Sequence, residues 1–590
     1  MRFHFLLGVL MTIIFGACVR DQKGNENVTW NRTSNEVICR IDGEPDVINT
    51  MLTSSRYTVQ VCEQVFAYLM YYDPYELKLV PQLANSQPEV QDITSDSDPN
   101  KGGKTYTFEI REQAVWDDGQ PVTGQDYVFT LKALFHPQVQ AQRYRPYLNF
   151  VKDVIVDEDN ARKFTVITLD PPNQAVERLG NTIPILPAHH YDPDGILETV
   201  ALSTFFDGEA IGALVEKDLK LQEFAQRFAS PEFTREAKNI MGAGPYRLEQ
   251  LGTGQPTVLV KKENWWGDAL ADQSPAFRAF PDRLVFKAIV DPATVNAAIK
   301  SEELDVVSDL DPKDFKELKE NPFSQGIYNF HAPPLLALYL TYINTRNPKL
   351  SDKRVRRALA LSVNINEIID NLYFGMAKQA VSPVHPLDQY FNADLKPLPY
   401  DPEQAKVLLA EAGWTDTNQN GIVDKEIDGE LVEMSLEYLI VANSERSRNL
   451  GIILQDNARK SGVELKLVAK TFNELTAAQK SGNYELSSGG RSLAPTDWEP
   501  KQNFYTVGDN RTGFGNAETD QLIDELQKIT DKDKRRELYH NLQAIIYEEQ
   551  PEIYLLVPTG RIVVHKRFDM ESSIIHPGYF PQHLKLKAAQ

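Results

Sequence analysis

"YTFEIREQAVWDDGQPVTGQDYVFTLKAL" fills Tyr106–Leu134, and three signals follow one another in it. Starting two residues earlier, Lys104–Ile110 alternates, with Tyr106, Phe108 and Ile110 on one side, as a half-buried strand does. Asp118-Gly119 is a turn dipeptide. Thr123 then has the chemistry of a helix N-cap with Asp126 three residues on, and Val128, Leu131 and Leu134 recur at helical spacing. A strand, a tight turn and a capped helix within about thirty residues predict an α/β architecture.

The same alternation of patterns runs through the rest of the chain. "KFTVITL" (163–169), "PTVLVKK" (256–262) and "DRLVFKAIV" (282–290) read as strands. "KLSDKRVRRALALSVN" reads as a helix capped by Ser351, with Val355, Leu359 and Val363 on one face and most of its basic residues on a solvated one. "YDPEQAKVLLAEAG" and "SRNLGIILQDNARKSG" are helices stopped at Gly413 and Gly462, and "VELKLVAK" follows as a strand. The segment from Ala517 to Pro551 reads as two helices broken near Thr530-Asp531.

The 590 residues are too many for one core and predict two to four lobes. The net charge of −21 argues against a nucleic-acid partner, since phosphate backbones need clustered Lys and Arg. At the N-terminus, "MRFHFLLGVLMTIIFGAC" has a basic start, an apolar run too short to span a bilayer, and small residues before Cys18. Residues 1–17 are therefore expected to be an export signal, and 18–37 a polar tether. Cys39 and Cys62 are either a disulfide, which an exported chain permits, or two buried thiols. No nucleophile elbow, HExxH or Walker A pattern occurs. Paired carboxylates of a secreted hydrolase stand as a remote alternative. "DTNQNGIVDKE" places Asp416, Asn418, Asn420, Gly421 and Asp424 at positions 1, 3, 5, 6 and 9 of a calcium loop, but Ile427 stands where the loop needs Glu. It is either a structural calcium site or a polar hairpin turn.

Several blocks together resemble the family 5 extracellular solute-binding proteins, the peptide-, dipeptide- and nickel-binding components of ABC importers. These are "EPDVINTMLTSSRYTVQVCEQVFAYLMYYDP" with "LVPQLANS", the opening stretch above, "GAGPYRLEQL", "KKENWWG", "INTRNPKLSDKRVRRALALSVNINEIIDNLYFGMA" and "GNAETDQLIDELQKITDKDKRRELYHNLQAIIYEEQPEIYLL". They occur in the family's order across nearly all of residues 38–590. The start of the chain likewise resembles a bacterial lipoprotein signal, which implies acylation of Cys18. The resemblance implies an α/β, periplasmic binding protein-like fold of three lobes, two large ones closing by a hinge and a smaller one inserted. Lobe I is expected at 38–70, 181–326 and 545–590, lobe II at 71–180 and lobe III at 327–544.

The resemblance further implies a monomeric lipoprotein on the periplasmic side of the envelope, without a cofactor or catalysis. It would capture a small ligand, a peptide first of all, and hand it to an ABC permease. An oligosaccharide, a nickel chelate, or a non-transport role as scaffold or sensor are the alternatives. "RSLAPTDWEP" (Arg491–Pro500) matches the place where peptide-binding relatives hold the ligand amine with an Asp. Asp497 is either that anchor or the cap of a helix starting near Trp498. Trp498 either stacks on the ligand or packs in a core. Arg491 replaces the Trp that the family usually has after Gly490. Arg448, with Arg446 beside it, is the expected carboxylate anchor, and Ser54, Ser55 and Arg56 are expected to line the cleft from lobe I. His189-His190, in "ILPAHHYDP", is expected to be structural and not a metal pair.

Overall fold

The computed structural model describes residues 32–588 apart from 54, 96, 496, 497, 508, 509 and 530. The expected export signal, the expected acylation site Cys18, Ser54 and Asp497 therefore lie outside the described residues. In the opening stretch, strand Lys104–Glu109 buries Tyr106 and Phe108 and leads through a turn at Gly119 (φ 82°) into helix Gly124–Phe135. Thr123 and Asp126 form the expected capping box, with the Thr123 amide 2.8 Å from Asp126 Oδ2. Asp126 does more than cap. Its other oxygen accepts the Ala188 amide at 2.9 Å, which fixes the loop carrying His189 and His190 against this helix. A Cβ at Gly124 would meet Phe164 and Val156 at 3.0–3.2 Å, so the helix start packs closely on the sheet and a side chain there would push these neighbours back by a few tenths of an ångström.

Three larger sheets organise the described residues. The first has seven strands, in the order Tyr328–His331, Ile562–His565, Val306–Val307, Glu36–Ile41, Arg283–Ala288, Thr257–Lys261 and Tyr246–Gln250. Val37, Cys39 and Ile41 of its central strand face one core, while Ile38 faces another with Val285 and Val563. Both faces are thus covered, as a sheet with parallel neighbours requires. The second sheet is an antiparallel four-stranded one, Glu89–Asp92, Lys104–Glu109, Lys163–Thr168 and Val151–Val156. The third has six strands, Ala377–Gln379, Glu552–Pro558, Ala337–Ile343, Leu486–Ser492, Ser435–Val441 and Glu464–Lys470.

The sheets correct the expected lobe boundaries. Strand Tyr328–His331 pairs in the first sheet, although the sequence reading gave it to lobe III. Strand Glu552–Pro558 pairs in the third, although the reading gave it to lobe I. Periodicity identifies each as a strand but cannot say which sheet receives it. Residues 32–37, read as tether, also belong to lobe I, since Arg32 bonds to Asp305 at 2.8 Å and the first strand begins at Glu36. Lobe III is therefore entered after His331 and left after Pro558. The two crossings lie side by side: Leu335 donates to Pro558 at 2.9 Å and Gly560 to Pro333 at 2.7 Å.

One hydrophobic core runs continuously through lobes I and II, joining Val37 and Ile562 to Phe108 and Phe164. Lobe III has its own cores on the two faces of its sheet, one around Leu436 and Leu454, the other around Leu340, Trp498 and Leu542. Local details differ from expectation at the helix Lys353–Leu361. Asp352, not Ser351, caps it, and Arg356 is buried against Glu549 at 2.9 Å instead of lying on the solvated face.

Candidate functional site

Lobe III faces lobes I and II across a cleft that holds a cavity of about 830 Å³. That is within the usual range for small-molecule sites. One wall comes from lobe II, with Tyr144, Tyr147 and Arg178. The other comes from lobe III, with Tyr342, Arg491 and Trp498. A second cavity, about 470 Å³, lies against lobe I and shares Tyr144 and Tyr147 with the first. Two contacts already cross the gap. Arg178 lies 3.6 Å from Glu499, and Asn173 donates to the Leu526 carbonyl at 3.0 Å.

The expected residues separate into those the cleft uses and those the fold uses. Trp498 lines the larger cavity, yet its ring is buried against Phe504 and Tyr539, and its carbonyl accepts the Tyr539 hydroxyl at 2.7 Å. It is not the start of a helix. The helix is Lys501–Phe504, and Glu499 accepts the Lys501 amide at 3.0 Å. Arg491 also lines the cavity, at the end of strand Leu486–Ser492. Its guanidinium is held by Glu552 at 2.5 and 3.3 Å and lies over the Phe504 ring. Burial disfavours the Arg491 charge, but Glu552 more than offsets this and holds the group above its ordinary pKa. Arg491 therefore faces the cavity as half of a neutralised pair and not as a free cation.

On lobe I, Ser55 is an N-cap and accepts the Thr58 amide; it positions helix Arg56–Val65. Arg56 lines the smaller cavity and reaches Asp42 at 3.3 Å and Asp309 at 3.6 Å. His576 Nε2 is 2.7 Å from Asp309 Oδ2. Burial works against the Asp309 charge, but the imidazole, Arg56 and Arg561 hold its carboxyl at about 2.

The two arginines considered for the carboxylate anchor differ in exposure. Arg448 is exposed, whereas Arg446, two residues earlier in helix Glu445–Arg459, is half-buried. Two residues turn an α-helix by about 200°, so the pair points in nearly opposite directions. Burial opposes the Arg446 charge, but Tyr339, Tyr373, Asp311 and Asp309 favour it and raise its pKa. Asp309 and Asp311 belong to lobe I, so Arg446 lies where the lobes meet. Among the described residues it has neither a hydrogen bond nor an ion pair. Sequence alone contained both arginines. The rotational phase that separates them comes from how the helix packs.

His189 and His190 do not act together. His189 Nε2 meets Asp118 at 2.8 Å and His190 Nε2 the Asn239 carbonyl at 2.8 Å. Cys39 and Cys62 are free and buried, and burial pushes both thiols up. In the 416–424 turn, Asp416 accepts the Asn420 and Gly421 amides, while Asn418 and Asn420 donate to Glu433 at 3.2 and 2.6 Å. Asp424 is buried and gives both oxygens to Thr417, which withdraws it from the turn. No group of three or more His, Cys, Asp or Glu converges among the described residues.

Comparison with known proteins agrees with this architecture. Residues 78–514 match the bacterial extracellular solute-binding proteins, family 5 Middle. The chain is 22% identical over 587 residues to the oligopeptide-binding protein AppA of Bacillus subtilis, covering 97% of this chain and 96% of that one. It is 25% identical over 502 residues to the nickel-binding periplasmic protein of Escherichia coli, covering 82% and 83%. Among solved structures, NikA from Brucella suis with Fe(III)-EDTA superimposes with a TM-score of 0.74 at 19% identity, over 94% of this chain and 100% of that one. AppA from Bacillus subtilis with a nonapeptide gives 0.68 at 20%, over 94% and 99%. The chain belongs to the family 5 bacterial extracellular solute-binding proteins, the extracytoplasmic binding components that work with ABC permeases.

Proposed function

We propose that the ligand is a peptide, held by its carboxylate at Arg446 and by its amine at Asp497. The observation that carries this reading is Arg446: a half-buried guanidinium at the meeting of the lobes, with no internal carboxylate in contact. Leaving such a charge half-buried without a partner is costly unless a ligand supplies the counter-charge. Relatives named for oligopeptide and dipeptide binding support the choice of substrate. Both anchors belong to lobe III, so closure rests on the opposite wall of the cavity, where Tyr144, Tyr147 and Arg178 would meet the ligand fully only in the closed form.

The nickel-binding relative supplies the second reading, a metal chelate bearing carboxylates that the same Arg446 would receive. We read the chain as a binding protein and not an enzyme, monomeric, anchored through acylated Cys18 on the periplasmic face. It works without a resident cofactor, since the 416–424 turn is closed by its own amides and Glu433. Addition of a chelator is expected to leave the melting temperature unchanged; a fall would restore calcium to this turn.

Mass spectrometry of ligand co-purifying with the native protein, followed by calorimetry, tests the substrate. Arg446→Ala and Asp497→Ala are each expected to weaken peptide binding by about 2–5 kcal/mol, while Arg448→Ala leaves it unchanged. Losses below about 0.5 kcal/mol at both Arg446 and Asp497 would remove the peptide reading.

A further inference from the structure

The smaller cavity, of about 470 Å³, lies between the end of the first strand, helix Arg56–Val65 and the lobe II segment containing Tyr144 and Tyr147. Its wall carries three carboxylates, Asp42, Glu63 and Asp309. Two are already neutralised. Asp42 pairs with Arg40 and Arg56, and Asp309 with Arg56 and His576. The remaining cation on the wall, Arg143, is turned elsewhere: it donates to the Thr50 carbonyl at 2.9 Å and the Tyr144 hydroxyl at 2.5 Å, and stacks 4.4 Å from the Tyr144 ring.

Glu63 is left over. It has neither a hydrogen bond nor an ion pair among the described residues. Its side chain is exposed to water on the wall of the cavity, with protein packed behind it. That surrounding protein pushes its carboxyl up to about 7, and no nearby cation lowers it again. Tyr57, on the same wall, has no cation over its ring among the described residues, whereas Tyr144 and Tyr147 already carry Arg143 and Arg178. A carboxylate without a partner beside an open aromatic face is what an organic cation needs.

We propose that this cavity is a subsite for a basic ligand side chain, a primary amine or a guanidinium, with Glu63 as its counter-charge and Tyr57 beside it. Because the cavity shares Tyr144 and Tyr147 with the larger one, a peptide lying in the cleft can place a Lys or Arg side chain here. The inference rests on the peptide reading above and narrows it to peptides with a basic residue at one position.

The test is calorimetry on the full chain with tri- to pentapeptides that differ only by Lys, Leu or Glu at each position in turn. On the wild type, Lys at one position is expected to improve affinity about tenfold over Leu. In Glu63→Gln that advantage should fall below twofold, while the Leu peptide keeps its affinity within twofold. An unchanged Lys-to-Leu ratio in Glu63→Gln overturns the subsite and leaves the peptide reading intact. Should no peptide bind, the peptide reading falls, and the subsite is judged with agmatine, a small guanidinium amine. Binding to the wild type that weakens at least fivefold in Glu63→Gln supports it; equal binding or none overturns it. A melting curve of Glu63→Gln matching the wild type at pH 5 checks that the variant is folded.

Discussion

Two buried arginine–carboxylate pairs, one in each closing body, do different work. In lobe I, Arg567 holds Asp305 through two bonds of 2.9 Å, and both side chains are almost fully enclosed. The same aspartate receives Arg32 and the Ile38 amide, while Arg567 also donates to the Ser34 and Glu36 carbonyls. This pair staples residues 32–36, the central strand and the returning C-terminal segment. In lobe III, Arg491 holds Glu552 at the edge of the ligand cavity, where the guanidinium keeps some contact with solvent. The first pair serves only the fold. The second serves the fold and also sets the charge on the cavity wall.

Breaking each pair tests that contrast. Asp305→Ala strands a guanidinium that water cannot reach, and a loss of about 3–5 kcal/mol in unfolding free energy is expected in urea titrations. Glu552→Gln strands one that the cavity can hydrate, so a smaller loss of about 2–3 kcal/mol is expected. It should also shift ligand preference toward acids. Equal losses would mean that the cavity wall is as closed to water as the core of lobe I.

Asp309, on the lobe I side of the cleft, ranks next. Its folded carboxyl titrates near 2 against an ordinary value of 3.8. Between those values the folded state binds fewer protons, so the stabilisation is present above about pH 4 and is lost as pH falls toward 2. Asp309→Asn is expected to cost about 1–2 kcal/mol at pH 6, with the difference from wild type vanishing near pH 2. The smallest effect belongs to Arg178→Ala. Its bridge to Glu499 spans 3.6 Å between partly exposed groups, so less than about 1 kcal/mol is at stake. Small-angle scattering of the ligand-free protein is expected to show a slightly more open average shape.

The elements were legible because each depends on near neighbours in sequence. Strand Lys104–Glu109, the Thr123–Asp126 cap and the helix stops at Gly413 and Gly462 all have local causes. What the sequence could not show depends on partners far along the chain. Nothing near Arg491 announces Glu552, and nothing in "SRNLGIILQDN" tells which of Arg446 and Arg448 turns inward. The strand Glu552–Pro558 was readable as a strand, but its membership of lobe III is set by pairing with Ala337–Ile343. Glu63 escaped notice for the same reason: being without a partner is a property of the assembled cavity.

The two crossings between lobe I and lobe III also have a mechanical meaning. Two separate connectors would each bend and twist on their own, leaving lobe III free to sway and rotate. Here Pro334 and Thr559 form a bridge between the crossings, and the bonds at Leu335 and Gly560 clamp them into one short ribbon. A ribbon flexes and twists out of its own plane more readily than it shears or bends within it. Swaying of lobe III within the plane of the ribbon is thereby restricted. Fewer open orientations must be given up when the cleft shuts, so less ligand binding energy is lost to ordering the protein.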